Sequence, residues 1–260
     1  MPGTYRLETL ILLDCLAEGV RDAAELLLHP TVGRFTSGSS WREESMERKL
    51  RLLAARGVIT LPNPVDPRII RITEDGRRIA RGGVDLEARW ARPWDGQWRM
   101  VLFDIAEADH KLRDQFRHEL SLARLGYLQG SVWVSPDPLA DFRDKVKSMA
   151  ANPESLLFFE GHPCAGESDS AIVAGAWNFA RINERYAYAM AMHESSPRKS
   201  DPPYRWRHWL ELERQSWLAA VAIDPLLPQP LLPAVYRGPE ALRSRRKALR
   251  ATAEHIFAKG

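Results

Sequence analysis

The sequence predicts an α+β protein in three parts: an N-terminal winged helix-turn-helix, a central ferredoxin-like βαββαβ domain and a C-terminal helical domain. Three observations carry this. Helically spaced apolar residues before Gly57 give way to two short β-rich runs joined by a proline-bearing turn. Strand and helix signatures then alternate from Trp98 to Phe159. Beyond residue 171 the apolar spacing is helical again. The expected boundaries are 1–85, a docked linker over 86–97, 98–170 and 171–260.

The first part begins with Leu7, Leu10, Ile11, Leu13 and Leu16, a helical pattern that stops at Gly19. A second short helix runs from Asp22 to Leu28 and ends before Pro30. After a loop rich in Gly, Ser and Thr, Ser40 and Glu43 have the spacing of a capping box. Met46, Leu50 and Leu53 then mark one face of a third helix that Gly57 terminates. Val58 to Leu61 and Arg68 to Ile72 flank a turn holding Pro62, Pro64 and Pro67, which reads as a hairpin, and Thr73 to Arg78 begins another helix.

Trp90, Pro93, Trp94 and Gly96 give the 86–97 segment the look of a linker that docks. Trp98 to Ile105 reads as a strand, followed by a helix with Leu112, Phe116, Leu120 and Ala123 on one face. Two short strands follow, around Tyr127-Leu128 and Ser131 to Val134, then a helix from Leu139 to Met149 and a strand from Leu156 to Phe159. Ala171 to Met192 is long enough for one extended helix interrupted only at Gly175. Trp206, Trp209, Leu210 and Trp217 continue the helical spacing, prolines break Asp224 to Pro239, and a last helix runs to Phe257.

Composition narrows the function classes. The chain has 260 residues, 45% hydrophobic and 27% charged, as in ordinary folded proteins. A net charge of only +3 means that any nucleic-acid surface must come from local clustering. Two widely separated cysteines, Cys15 and Cys164, give no disulfide framework and fit a reducing compartment. Arg6, Glu8 and Asp14 interrupt the start of the chain, so no signal-peptide pattern is present, and no apolar run approaches a membrane span. A cytoplasmic protein is expected.

The third helix is the main functional candidate. With Met46, Leu50 and Leu53 turned to the core, a helical step places Trp41, Glu44, Arg48 and Arg51 on the opposite face, with Ser45 at its edge. Such a face suits the major groove, where arginine meets guanine edges or phosphate. Arg68 and Arg71 on the hairpin would hold flanking phosphates. The competing reading is a solvated charged face, and Glu43, Glu44 and Glu47 dilute its positive field. The expected DNA contacts are therefore Trp41, Ser45, Arg48, Arg51, Arg68 and Arg71.

Other candidates are weaker. Asp104, at a strand end with Glu107 and Asp109 in the following turn, is the one carboxylate that invites a metal-dependent nuclease reading. Acids at a helix N-terminus are more often structural, because the helix dipole favours them. His162 and Cys164 lack a second pair at metal-ligand spacing. Arg243, Arg245, Arg246, Lys247 and Arg250 are candidates for phosphate contact or for a solvated surface. Tyr204, Trp206, Trp209 and Trp217 are candidates for an aromatic pocket or for helix packing. No nucleophile-elbow or phosphate-loop pattern occurs, and no cofactor or metal is expected.

Trp94 to Ile105, Leu125-Gly126-Tyr127 and Gly130 to Pro136, with Trp177-Asn178, Tyr186, Asp224 to Pro228, Leu231 to Pro233 and Tyr236-Arg237-Gly238, resemble the phenylacetic-acid degradation operon repressor family, PaaX. The resemblance spans the chain and is most specific in its middle and C-terminal parts. It implies a homodimeric repressor whose ferredoxin-like domain is similar to a small CRISPR-associated nuclease, released from DNA by an aryl-acyl coenzyme A thioester. The chain departs from the family pattern at Glu47, where arginine is usual, and in a wing with Arg68 and Arg71 in place of an aromatic residue. Ala106 replaces a proline, and Tyr236 stands where tryptophan is common.

The resulting expectation is a transcriptional regulator, not an enzyme: a homodimer on a palindromic operator in double-stranded DNA, released by a small effector. The effector pocket is not assigned. The rival expectations are a metal-dependent nuclease using Asp104 and an effector-independent architectural or defence component bound to DNA.

Overall fold

A computed structural model describes residues 51–61, 71–80, 84–105, 109–148, 155–198 and 200–257. The expected helices before residue 50, Cys15, the capping box and the tip of the hairpin lie outside the described residues. The chain divides into two compact units. One takes in Leu86–Asn183 and Ala222–Tyr236, and the other includes Glu184–Val221 and Arg237–Gly260 together with the chain up to Asp85.

The first of these units is built on a four-stranded antiparallel sheet. Its elements are β3 (Trp98–Asp104), α3 (His110–Leu122), β4 (Gly126–Gln129), β5 (Val132–Ser135), α4 (Ala140–Ser148) and β6 (Ser155–Gly161). The strands lie in the order β4-β5-β3-β6. The helix-bearing crossover from β3 to β4 leaves a gap that β5 fills, which is the split βαβ of the ferredoxin-like arrangement. Registers such as Val101 opposite both Trp133 and Phe158 fix which side chains share a face. Val101, Phe103, Phe116, Leu120, Trp133 and Val146 form the core under α3 and α4. Phe103 and Phe116 meet edge to face at 4.6 Å.

The 86–97 segment opens with a helix, α2 (Leu86–Ala91), that buries Leu86 and Trp90. Beyond it, Asp95 Oδ1 accepts the Gln97 N–H at 3.0 Å and Trp94 Nε1 donates to the Gln97 carbonyl at 3.1 Å. This turn delivers Arg99, only 8% exposed, to Asp95, to Glu160 and to the Pro136 carbonyl. Trp98 Nε1 donates to Asp169 Oδ1 at 2.8 Å. The residues that carry the family resemblance here are a structural corner.

Asp169 opens α5 (Asp169–Ala176), whose N-cap Ser168 accepts the Ala171 N–H. The single helix expected over 171–192 is two. It breaks at Trp177 and Asn178, between α5 and α6 (Phe179–Glu194), and Gly175 stays inside α5. Trp177 is extended, at φ −133° and ψ 138°, and the Asn178 side chain accepts the Arg181 N–H to start the next helix. Trp177 also explains Gly126: a β-carbon there would come within 2.5 Å of the indole, so only glycine lets the two meet.

The remainder of this unit, residues 222–236, holds a 3₁₀ turn at Gln229–Leu231. Asp224, 1% exposed, accepts the Leu226 N–H at 2.8 Å and the Tyr236 hydroxyl. The Tyr236 ring meets Trp90 at 6.0 Å and Phe179 at 5.7 Å, both edge-on. Arg124 and Arg92 donate to the backbone carbonyls of Asp224 and Leu226.

In the other unit, residues 51–55 are the end of a helix, with Leu53 buried. A short antiparallel pair follows, β1 (Ile59–Thr60) with β2 (Arg71–Ile72), then α1 (Glu74–Ala80). The same unit contains most of α6, most of α7 (Pro203–Ile223) and α8 (Gly238–Phe257). Tyr186, Ala189 and His193 on α6, Trp206, Leu210, Glu213 and Trp217 on α7, and Leu242, Arg245, Leu249 and Thr252 on α8 are buried at helical spacing.

Candidate functional site

The described part of the expected DNA-binding surface is a helix end, a strand pair and a following helix locked together. Gly57, at φ 68°, donates its N–H to the Ala54 carbonyl at 2.9 Å, and Val58 donates to Leu53 at 2.9 Å. This pair of bonds is a Schellman cap, and its apolar partners Leu53 and Val58 are both buried. Thr73 Oγ1 donates toward the Gly57 and Val58 carbonyls, at 2.6 and 2.9 Å, and accepts the Gly76 N–H at 3.1 Å as the cap of α1. Gly76 approaches so closely that a β-carbon would lie 2.1 Å from the Val58 carbonyl oxygen.

Arg51 is exposed on this helix end. The backbone of Arg71 pairs with Thr60 in the strand ladder. Trp41, Ser45, Arg48 and Arg68 lie outside the described residues.

Asp104 is exposed at the end of β3, opposite Ser155. Glu107 lies outside the described residues. Asp109 sits at the N-cap of α3, where the helix dipole favours its charge, and makes no side-chain cap hydrogen bond. Arg113 donates to the Ile105 carbonyl at 3.0 Å. His162 and Cys164 are both exposed. Among the described residues no group of three or more His, Cys, Asp or Glu is placed to hold a metal ion.

Sequence reasoning missed a buried polar cluster. Arg245, grouped with the basic residues of the last helix, turns inward at 1% exposure: its Nε donates to Glu213 Oε1 at 2.8 Å and its Nη2 to Oε2 at 3.3 Å. A phosphate-contacting or solvated role is therefore wrong for Arg245. His193 Nε2 lies 3.2 Å from the same Oε1, and its Nδ1 lies 3.0 Å from Ser244 Oγ. The Arg245 guanidinium stands 5.1 Å from the Trp217 ring centre, a cation–π contact. Burial pushes the Glu213 carboxyl up, but the Arg245 charge and the His193 bond outweigh it and hold its pKa below the ordinary value. The legible signal was position: Glu213 and Arg245 occupy buried places in the stripes of α7 and α8.

A second ion group lies in the sheet-bearing unit. Arg92 grips Asp137 at both oxygens, Nε to Oδ1 at 2.6 Å and Nη2 to Oδ2 at 3.0 Å, and Arg89 adds a bond to Oδ2 at 2.7 Å. Burial raises the Asp137 carboxyl, yet the two guanidinium groups hold it below its usual range.

Each unit also carries an open cavity. In the sheet-bearing unit a space of 720 Å³ is bordered by Tyr127, Trp177, Phe179, Leu232 and Pro233. In the other unit a space of 620 Å³ lies beside Trp209, Tyr204, Leu212, Arg198, Arg205 and His208. Of the expected aromatic group, Trp206, Trp209 and Trp217 are buried, whereas Tyr204 is 69% exposed. Among the described residues no helix is long and apolar enough to cross a membrane.

Residues 91–173 match the family described as the PaaX protein central Cas2-like domain. No match to a curated protein is found. A solved structure similar to this chain is that of an uncharacterized protein, Rv0674, from Mycobacterium tuberculosis. The two are 17% identical over 95% of this chain and 96% of that one, with a TM-score of 0.56, a likeness of fold. The match covers the βαββαβ sheet and the corner that leads into it, so residues 91–173 are similar to the central Cas2-like domain of PaaX proteins.

Proposed function

We propose that this chain is a transcriptional regulator that binds double-stranded DNA through its N-terminal part. The observation that carries the reading is the joined device of residues 51–61 and 71–80: a helix end presenting Arg51, an antiparallel strand pair and a capped helix, in a chain whose residues 91–173 match the PaaX central domain. A helix followed by a two-stranded wing presents one element to the major groove and another to the flanking backbone. Trp41, Ser45, Arg48 and Arg51 are the reading face and Arg68 and Arg71 the backbone contacts. The protein acts as a repressor in the reducing cytoplasm, binding a palindromic operator as a homodimer. A small effector, by family resemblance an aryl-acyl coenzyme A, releases it by favouring the state that misfits the operator.

Selection of bound fragments from a random DNA pool, followed by titration at fixed salt, tests this. Arg48→Ala and Arg51→Ala each weaken specific binding by about 1–3 kcal/mol where they meet a base edge. An arginine that meets only phosphate lowers the salt slope by about one. Unchanged affinity and slope in both variants would remove this helix from the reading surface.

A further inference from the structure

The chain between α6 and α7 borders a cavity of 620 Å³, a volume within the range that small organic ligands occupy. Its apolar side is aromatic. Trp209 is 5% exposed, and its indole N–H is committed to the Met192 carbonyl at 2.8 Å, so it offers the cavity ring carbon rather than a donor. Tyr204 stands at the edge with 69% of its surface in water, and Leu212 is 37% exposed. A tyrosine ring left in solvent on a concave surface is apolar area that a flat ligand would cover.

The rim carries excess positive charge. Among the described residues, Arg198 and Arg205 flank the cavity against one carboxylate, Asp201. Asp201 Oδ2 accepts the backbone N–H of Arg198 at 2.8 Å, a bond that does not use the Arg198 guanidinium. Its Oδ1 is 3.5 Å from Arg205 Nη1, a long and exposed pair. Both arginines line the cavity, and a guanidinium is suited to planar, two-oxygen contacts with a carboxylate or phosphate.

We propose that this cavity binds a small aromatic anion: a planar aryl or heteroaryl group stacked against Tyr204 and Trp209, bearing a phosphate or carboxylate held by Arg198 and Arg205. The cavity favours this ligand over a neutral aromatic, which would leave the guanidinium groups unused, and over a bare anion, which would leave the aromatic side wet. The inference deepens the regulator reading by giving it a ligand site, and rests on that reading only for the consequence on DNA. Binding itself is measured without DNA.

The test is calorimetric titration of the full chain with 2-naphthyl phosphate, with 2-naphthylmethanol and inorganic phosphate as its two halves. The expected result is one saturable site, at least tenfold tighter for the whole than for either half. Arg198→Gln should weaken 2-naphthyl phosphate tenfold or more while sparing 2-naphthylmethanol, and Tyr204→Ala should weaken both aromatic ligands. If Arg198→Gln melts early, Arg205→Gln, expected to behave like it, takes its place; if Tyr204→Ala melts early, Tyr204→Leu, which removes the stacking ring but keeps apolar bulk, takes its place. Absence of saturable binding, equal affinity for the neutral compound, or wild-type affinity in the variants would overturn the proposal. DNA binding measured separately on the same proteins distinguishes failure of this site from failure of the regulator reading.

Discussion

Glu213 and Arg245 meet in the interior as a two-point ion pair, each side chain no more than 2% exposed. Removing one partner leaves the other charge buried and uncompensated, which costs about 3–5 kcal/mol. Arg245→Met alone should therefore destabilise strongly. Glu213→Leu combined with Arg245→Met should cost less than the sum of the single changes. Urea unfolding followed by hydrogen exchange in α7 and α8 measures both, and strict additivity would show that the pair is not coupled.

The same carboxylate sets a pH dependence. Its pKa is depressed in the folded protein, so its contribution is present above the ordinary glutamate value, about 4.3. That contribution is lost as pH falls through the folded value. Acidification should loosen α7 and α8 in the wild type more than in the Glu213→Leu, Arg245→Met double variant. Equal acid sensitivity in the two proteins would contradict the assignment.

Asp137 should act in the same direction in the sheet-bearing unit. Its contacts with Arg92 and Arg89 are partly solvated, so Asp137→Asn is expected to cost about 1.5–3 kcal/mol at neutral pH. The depressed carboxyl makes this difference shrink on acidification through its folded pKa. A difference that stays constant between neutral and acid pH would place the effect elsewhere.

Gly76 offers a test of sign. A helical glycine replaced by alanine usually gains stability, about 0.5–1 kcal/mol. Here the added methyl group would strike the Val58 carbonyl at 2.1 Å and Ile72 Cγ1 at 2.6 Å. Gly76→Ala should lose about 1–3 kcal/mol in local unfolding around β1, β2 and α1, because the crowded elements must move apart. Hydrogen exchange at Val58 and Thr73 reads the change, and a gain in protection would refute the close approach.

Much of the central sheet could be read in advance, because alternating residues such as Val101 and Phe103 carry a period of two, and the helix of Phe116 and Leu120 one near four. The strand ends shifted by one or two residues, as hydrogen-bond register rather than hydropathy sets them. The break at Trp177 is not legible in the sequence, because Trp177 and Asn178 interrupt an otherwise suitable apolar run in which Gly175 is the more obvious breaker. The inward turn of Arg245 is hidden for a related reason. A string of arginines suggests a wet surface, and only the buried spacing of its neighbours reveals that one of them turns inward. The cavity beside Tyr204 depends on how a loop meets two helices, which local pattern does not encode.

The carbonyls of Asp224 and Leu226 are gripped by Arg124 and Arg92 across 100 and 134 positions of chain. A ribosome emits the βαββαβ segment first, then the stretch Glu184–Val221 that belongs to the other unit, and only afterwards this proline-rich clasp. The sheet-bearing unit must wait, unclosed, for its own final piece. Contacts of such span slow folding, and truncation before Tyr236 should strand a nascent protein with Trp90 and Phe179 still uncovered.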